Sequence, residues 1–182
     1  MKNKLIILYL FFSIFEASAS IKEKIVQNLK TTENLTFNFE QNVNGKTENG
    51  YCALSYPKKI FCRYNLKNNK ILVSNGKSIV IKTTNSYYLY PLERTPLNLI
   101  LNKNFLMNKI NSLSERILDN KFVNFQFSEA DFQVNIFFDY KTLNLIGWQT
   151  KDIYQNLSIT FLASVKKNQE LNNSLFILPK QN

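Results

Sequence analysis

The sequence predicts a mainly β fold with a few helices, its strands forming a meandering antiparallel sheet that curls on itself. Three observations carry this reading. From residue 35 onward, apolar side chains recur with period two in segment after segment, the spacing of half-buried strands. Around ten such segments follow one another across short turns, which suits antiparallel neighbours rather than crossover connections. Helical signals are confined to two stretches, near residues 21–32 and 95–110.

Residues 1–19 read as an export signal. Lys2 and Lys4 supply a positive start, Leu5–Phe15 an apolar run, and Ala17-Ser18-Ala19 a small-x-small cleavage site. The run is too short for a hydrocarbon core that needs about 20 residues. Cleavage near Ala19 leaves residues 20–182 as a single domain outside the cytoplasm, long enough to bury a sizeable core. No cysteine follows the cleavage site directly, so the mature chain is not expected to be a lipoprotein itself.

Ile21, Ile25, Val26 and Leu29 then recur at helical spacing and predict an opening amphipathic helix over 21–32. Leu35, Phe37 and Phe39 alternate with Thr36, Asn38 and Glu40 as on a strand. Strands at 49–56 and 59–65 join at Pro57-Lys58, and folding about Pro57 sets Cys52 opposite Cys62. In an oxidising compartment that placement predicts a cross-strand disulfide, the other reading being two buried thiols. The spacing is not Cys-x-x-Cys, so redox catalysis is not expected. Between residues 71 and 81, Asn75-Gly76 sits between β-branched runs, a hairpin signal that sets Leu72 against Ile79. Tyr87–Tyr90 adds a strand.

Thr95-Pro96-Leu97 opens a second helix, with Thr95 as N-cap and Pro96 in the first turn. Leu97, Leu99, Ile100 and Leu101 follow, then Phe105, Leu106, Met107 and Ile110, which is greasier than a one-faced surface helix requires. Such a segment is either an ordinary core helix or a cover over an apolar cavity. Strands follow at 113–119, 121–127, 132–139, 143–151 and 155–163. In the fourth-from-last of the chain's apolar runs Val134, Ile136 and Phe138 alternate with polar residues, and Leu157, Ile159, Phe161 and Ala163 do so later. Ser174–Leu178 closes the chain as a short strand stopped by Pro179.

The chain carries a formal charge of +10, but export makes nucleic acid a poor partner, and all basic residues except Arg63, Arg94 and Arg116 are Lys in an Asn-rich chain. There is no His, no Gly-x-Ser-x-Gly and no phosphate-cradling glycine loop. Asp119, Asp131, Asp139 and Asp152 fall near turns, and nothing brings Glu40 and Glu48 together. No catalytic role, cofactor or metal is expected. What remains is apolar surface. A curled sheet with a greasy helix can enclose a cavity for acyl chains, yet alternation alone fits a filled barrel as well as a hollow one.

The ordered set Phe37-x-Phe39-x-Gln41, Gly50, the Pro57 hairpin, Leu72-Val73-Ser74-Asn75-Gly76-Lys77, Pro91-Leu92, Thr95-Pro96-Leu97, Trp148 and Phe176-x-Leu178-Pro179 spans nearly all of the mature chain. In it the chain resembles the periplasmic outer-membrane lipoprotein carriers of Gram-negative bacteria, the LolA-type family. The resemblance implies an unclosed antiparallel β-barrel with a helical lid over an apolar cavity. It implies a monomeric periplasmic shuttle that does no bond chemistry. Such a shuttle takes acylated lipoproteins from an ATP-driven inner-membrane exporter and passes them to an outer-membrane acceptor. Carried onto this chain, Phe37, Phe39, Leu72, Ile79 and Trp148 are acyl-cavity positions, Leu97, Ile100 and Leu101 fall on the lid, and Ile60 and Phe61 lie on the strand that meets the exporter. One departure concerns the lid latch. Many relatives place Arg before the hairpin proline, where it hydrogen-bonds to lid carbonyls, and here that position is Tyr56. A phenol offers one donor where guanidinium offers five, so the latch is expected to be weaker, or replaced by Lys58 or Lys59. Two other readings stay open: a periplasmic binding protein or sensor for another lipid on the same fold, and an interaction domain with a solid core.

Overall fold

The computed structural model describes residues 19–152 and 154–181, so all of the expected export signal except Ala19 lies outside the described residues. The chain starts with helix α1 (Ile21–Lys30), set by a capping box in which the Ser20 hydroxyl accepts from Glu23 N–H and the Glu23 carboxylate accepts from Ser20 N–H. Six strands follow: β1 (Asn34–Val43), β2 (Lys46–Ser55), β3 (Lys59–Tyr64), β4 (Ile71–Asn75), β5 (Ser78–Lys82) and β6 (Tyr87–Pro91). A 3-10 turn at Leu92–Arg94 leads into α2 (Leu97–Ile100) and α3 (Lys103–Ser112). Five more strands complete the sheet: β7 (Arg116–Leu118), β8 (Phe122–Glu129), β9 (Phe132–Asp139), β10 (Leu145–Lys151) and β11 (Leu157–Lys167).

All eleven strands lie in one antiparallel sheet of order β6-β5-β4-β3-β2-β1-β11-β10-β9-β8-β7. Strands β6 and β7 stand at its two ends and do not pair, so the curl is open. Strand β1 joins the two meanders. It pairs with β2 from Asn34–Ser55 to Val43–Lys46 on one side, and with β11 from Leu35–Lys167 to Val43–Ser158 on the other.

The inner face is filled differently in its two halves. Under β8 and β9 it is packed against the helices. Phe125 and Phe138 meet edge to face at 6.0 Å, and Leu106 and Ile110 of α3 are buried with Ile25 and Leu29 of α1 in the same core. Each such side chain contributes roughly 1.5–3 kcal/mol by leaving water. Helix α1 is clipped to the segment around α3 by lysines. Lys103 Nζ donates to the Thr32 carbonyl at 2.9 Å, and Lys22 Nζ to the Leu113 carbonyl at 3.1 Å. Under β1–β6, with residues of β10 and β11, the inner face surrounds a cavity.

Several sequence expectations need correction. Leu72 stands opposite Ile81 rather than Ile79, because the tight turn is Gly76-Lys77 with Ser74 paired to Ile79. Gly76 takes the positive φ, and the Asn75 side chain accepts from the Lys77 and Ser78 amides instead of lying inside the turn. An unremarked Asn44-Gly45 makes the two-residue turn with positive φ at both positions, which extends β1 and β2 toward each other. Thr95 does not cap the second helix. Its hydroxyl donates back to the Leu92 carbonyl, and the helix breaks at Leu101-Asn102, where the Asn102 side chain caps a new start. Helix α3 runs to Ser112 and shortens the strand expected at 113–119 to Arg116–Leu118. The closing segment Asn173–Phe176 is a 3-10 turn rather than a strand. On β11 the apolar set faces outward: Phe161 is 59 % exposed while Thr160 and Leu162 are buried. Pairing with Gly147 and Trp148 on β10 dictates that choice, since the inner face needs Thr160 beside Trp148.

Gly50 lies between Phe39 and Tyr64 in the ladder, and its missing side chain lets those two rings meet edge to face at 4.9 Å. A Cβ there would overlap the Arg63 carbonyl oxygen and sit 2.9 Å from the Phe39 ring. Gly50→Ala should therefore lower the unfolding free energy by ~1–3 kcal/mol or more, read as a fall in the urea midpoint. Cys52 and Cys62 face each other across β2 and β3 and form the expected disulfide, closing a short loop over a sequence separation of 10. Replacing both by Ala should cost about 2–4 kcal/mol by the same measurement.

Candidate functional site

A cavity of about 400 Å³ opens on the concave face, within the roughly 300–1,000 Å³ range of pockets that enclose small ligands. Period two builds its wall. In-facing residues of successive strands fall into rows, so Phe37, Cys52, Cys62 and Leu72 follow one another across β1–β4 by direct pairing. Ile60, Ile79, Ile81 and Trp148 extend this apolar surface. Phe37 and Trp148 meet edge to face at 6.4 Å. Leu97 and Ile100 of α2 roof the space.

The roof is fastened at one end through main-chain groups. Lys58 N–H donates to the Leu101 carbonyl at 2.9 Å, and Leu92 N–H donates to the Lys77 carbonyl at 2.9 Å. Both partners sit in the β2–β3 and β4–β5 turns, which neighbour each other through the Lys59–Asn75 pair. The buried Ser74 hydroxyl donates to the Lys58 carbonyl at 2.9 Å and fixes the turn that holds the lid.

The positions singled out in the sequence fall as follows. Phe37, Phe39, Leu72, Ile79 and Trp148 all line the cavity, as do the lid residues Leu97 and Ile100. Leu101 is fully buried and supplies the carbonyl to Lys58 instead. Ile60 is buried in the cavity wall, which leaves Phe61 as the half-buried, outward-facing member of that pair, with Arg63 stacked 5.9 Å from its ring. The Tyr56 hydroxyl is buried without a protein hydrogen-bond partner. It makes no latch, and its place is taken by the main chain of Lys58. The Tyr56 ring lies 5.7 Å from Lys103 Nζ, beside the break between α2 and α3.

Sequence reasoning passed over the polar part of the lining: Gln41, Tyr64, Thr150, Ser158 and Thr160. Their signal was the same alternation, read through a polar residue: Gln41 follows Phe39 by two, and Thr150 follows Trp148 by two. Beyond Tyr64 lies a charged cluster. Glu48, 8 % exposed, pairs with Lys70 at 2.5 Å and Lys46 at 3.7 Å, and Lys70 Nζ lies 4.1 Å from the Tyr64 ring centre. Burial holds the phenols of Tyr56 and Tyr64 above the usual tyrosine range, with the Glu48 charge adding to the effect on Tyr64. Asp139 and Asp152 lie in turns, where backbone and side-chain donors lower their carboxyls. Among the described residues no cluster of His, Cys, Asp or Glu is arranged to hold a metal, and no helix is long and apolar enough to cross a membrane.

A sequence model of a protein family, described as outer membrane lipoprotein carrier protein LolA, matches residues 30–178. No curated protein matches the chain in a sequence search. Among solved structures, it resembles LprF from Mycobacterium bovis at 12% identity and a TM-score of 0.45, over 84% of this chain and 94% of that one. A LolA superfamily protein from Nitrosomonas europaea aligns at 6% identity and a TM-score of 0.44, over 88% and 99% of the two chains. Lipoprotein LppX from Mycobacterium tuberculosis aligns at 9% identity and a TM-score of 0.42, over 83% and 95%.

A phenol held neutral by folding stabilises the fold only while the unfolded chain also keeps its proton. Stability contributed by Tyr56 and Tyr64 is therefore complete below about pH 10, the unfolded value, and is lost as pH rises above it. Unfolding curves between pH 8 and pH 11 should show that loss, and Tyr56→Phe should flatten it. At neutral pH the same variant should be neutral or stabilising, because it removes a buried hydroxyl that has no partner. Destabilisation by more than about 1 kcal/mol at pH 7 would show that the hydroxyl is engaged after all.

Proposed function

The chain belongs to the outer-membrane lipoprotein carrier family, and on that premise we propose that it shuttles lipoproteins by holding their acyl chains in the cavity between the sheet and α2. The observation that carries this reading is the contrast within one sheet. Under β8 and β9 the buried side chains pack on α3, with Phe105 and Phe127 edge to face, whereas the walls from β1–β6, β10 and β11 stand apart around an accessible space. Each methylene taken into such a space contributes about 0.8 kcal/mol, so a few acyl carbons repay opening the roof. The roof is fastened by neutral main-chain hydrogen bonds, each of net worth about 1 kcal/mol, which suits a cover that must open and close.

In this reading the export signal at residues 1–19 sends the chain to the periplasm. An ATP-driven inner-membrane exporter loads it, with Phe61 on the outer face of β3 as the contact residue, and an outer-membrane acceptor unloads it. The protein works as a monomer and makes or breaks no bond. Extraction and delivery follow from the difference in apolar burial between carrier, exporter and acceptor.

The test is release of lipoproteins from spheroplasts by the purified mature protein. A soluble one-to-one complex in the supernatant is expected. Leu97→Glu and Ile100→Glu place a carboxylate in the roof and should cut release at least about tenfold while the melting profile stays cooperative. No release by a protein that still takes up a fluorescent acyl probe would move the assignment to another lipid. Failure to take up the probe would remove the binding role.

A further inference from the structure

The cavity is not apolar throughout: Arg94 and Thr95 line it at the roofed end, and a group of uncharged polar residues lines the other end. Gln41 pairs with Thr160 and Thr160 pairs with Trp148, so these three form one row across the inner face of β1, β11 and β10. In the next row outward Ser158 stands opposite Thr150. These rows lie toward the turns that follow β1 and β10, whereas the roof is fastened at the opposite end of the strands, at the Lys58 and Lys77 turns. Thr160 and Thr150 are 4 % and 6 % exposed, and the Thr160 hydroxyl has no protein partner. Such a group is costly unless something in the cavity meets it.

The hydrogen bonds around it set its polarity. The Tyr64 hydroxyl donates to the Gln41 side-chain oxygen at 3.4 Å, and the Gln41 amide donates to Ser158 Oγ at 3.1 Å. Ser158 is thereby used as an acceptor, which leaves its proton to give. With Thr150 and Thr160 it presents hydroxyl donors and no charge. The charges nearest this end, Glu48 with Lys70 and Lys46, already pair with each other. Arg94, the cation in the cavity lining, follows β6 at the roofed end.

Resting on the carrier reading, we infer that this end is a subsite for the neutral carbonyl oxygens of acyl esters. It would orient the ligand with its head at the Thr150–Thr160 rows and its tails running under α2. A free fatty acid fits poorly, because the residues that line this end include no cation to meet its carboxylate. Acyl esters can come from a diacylglyceryl cysteine or from a phospholipid, and both present the same carbonyl.

The test is competition by hexadecane, methyl palmitate and palmitate against a fluorescent acyl probe bound to the full mature protein. Methyl palmitate should bind roughly 3- to 10-fold tighter than hexadecane, the ratio one or two hydrogen bonds provide, and tighter than palmitate at neutral pH. Thr160→Val should bring the methyl palmitate to hexadecane affinity ratio close to one, and Thr160→Ser should restore it. Thr150→Val gives an independent reading if Thr160→Val does not fold. An unchanged ester-to-hexadecane ratio in folded valine variants, or tighter binding of palmitate, would overturn the subsite and leave the carrier reading standing. If none of the three competes and the probe does not bind, the carrier reading fails and the subsite fails with it. A diacylglyceryl-cysteine peptide and dipalmitoyl phosphatidylglycerol, run in parallel, show which source the subsite serves by which one loses affinity in Thr160→Val.

Discussion

The double pairing of β1 is the interaction on which the rest depends. Residues 34–43 bond β2 on one edge and β11 on the other, and so join an N-terminal meander to a C-terminal one more than a hundred residues away. Every other strand pair links neighbours in the chain. Without the β1–β11 ladder the two halves would be separate small sheets, each with an apolar face and nothing to cover it. With it they share one concave face, and α1, α2 and α3 need cover only that. The cavity spans this seam, since Phe37, Phe39 and Gln41 come from β1 while Thr160 and Trp148 come from the far meander.

The two halves of the concave face solve the same problem in different ways. Under β8 and β9 aromatic residues pack on α3, and the dispersion contacts that close packing brings are realised. Around Trp148 and Ile79 facing walls stay apart, and those contacts are forgone until something enters. A half that is already stable allows the other half to stay incompletely packed. Among the hydroxyl-bearing residues that line this part on β10 and β11, Thr160 keeps a buried hydroxyl with no protein partner.

Much of this architecture was legible because it follows from local rules. The apolar spacing of the opening helix at 21–32, the strand alternation at 35–39 and 134–138, and the Cys52–Cys62 pairing each depend on a few nearby residues. What went unread depends on partners far along the chain. Which face of β11 turns inward is decided by its register with β10, and a bulge between Thr36 and Asn38 shifts its separate register with β1. The second Asn-Gly step shows the same limit. Asn44-Gly45, which the sequence reading did not single out, forms a two-residue turn, while Asn75-Gly76 slips by one residue as the Asn75 side chain accepts from the turn amides. In the site, the aromatic and aliphatic wall residues were reached through the family resemblance, but the polar end was not, since a threonine facing a cavity and a threonine facing solvent look alike in sequence.

The lid fastening at Lys58 has a consequence for how this protein varies. A guanidinium latch is written in the genetic code and is lost with one codon. Here the donor is a peptide N–H, held at a positive φ of 64° by a turn that Ser74 secures from behind. Nearly any residue that accepts that backbone conformation supplies the same bond, and proline is the exception. The fastening is therefore silent to most substitutions at its own position. Drift in lid strength among relatives of this kind should appear in residues that shape the turn, with the residue that donates free to change.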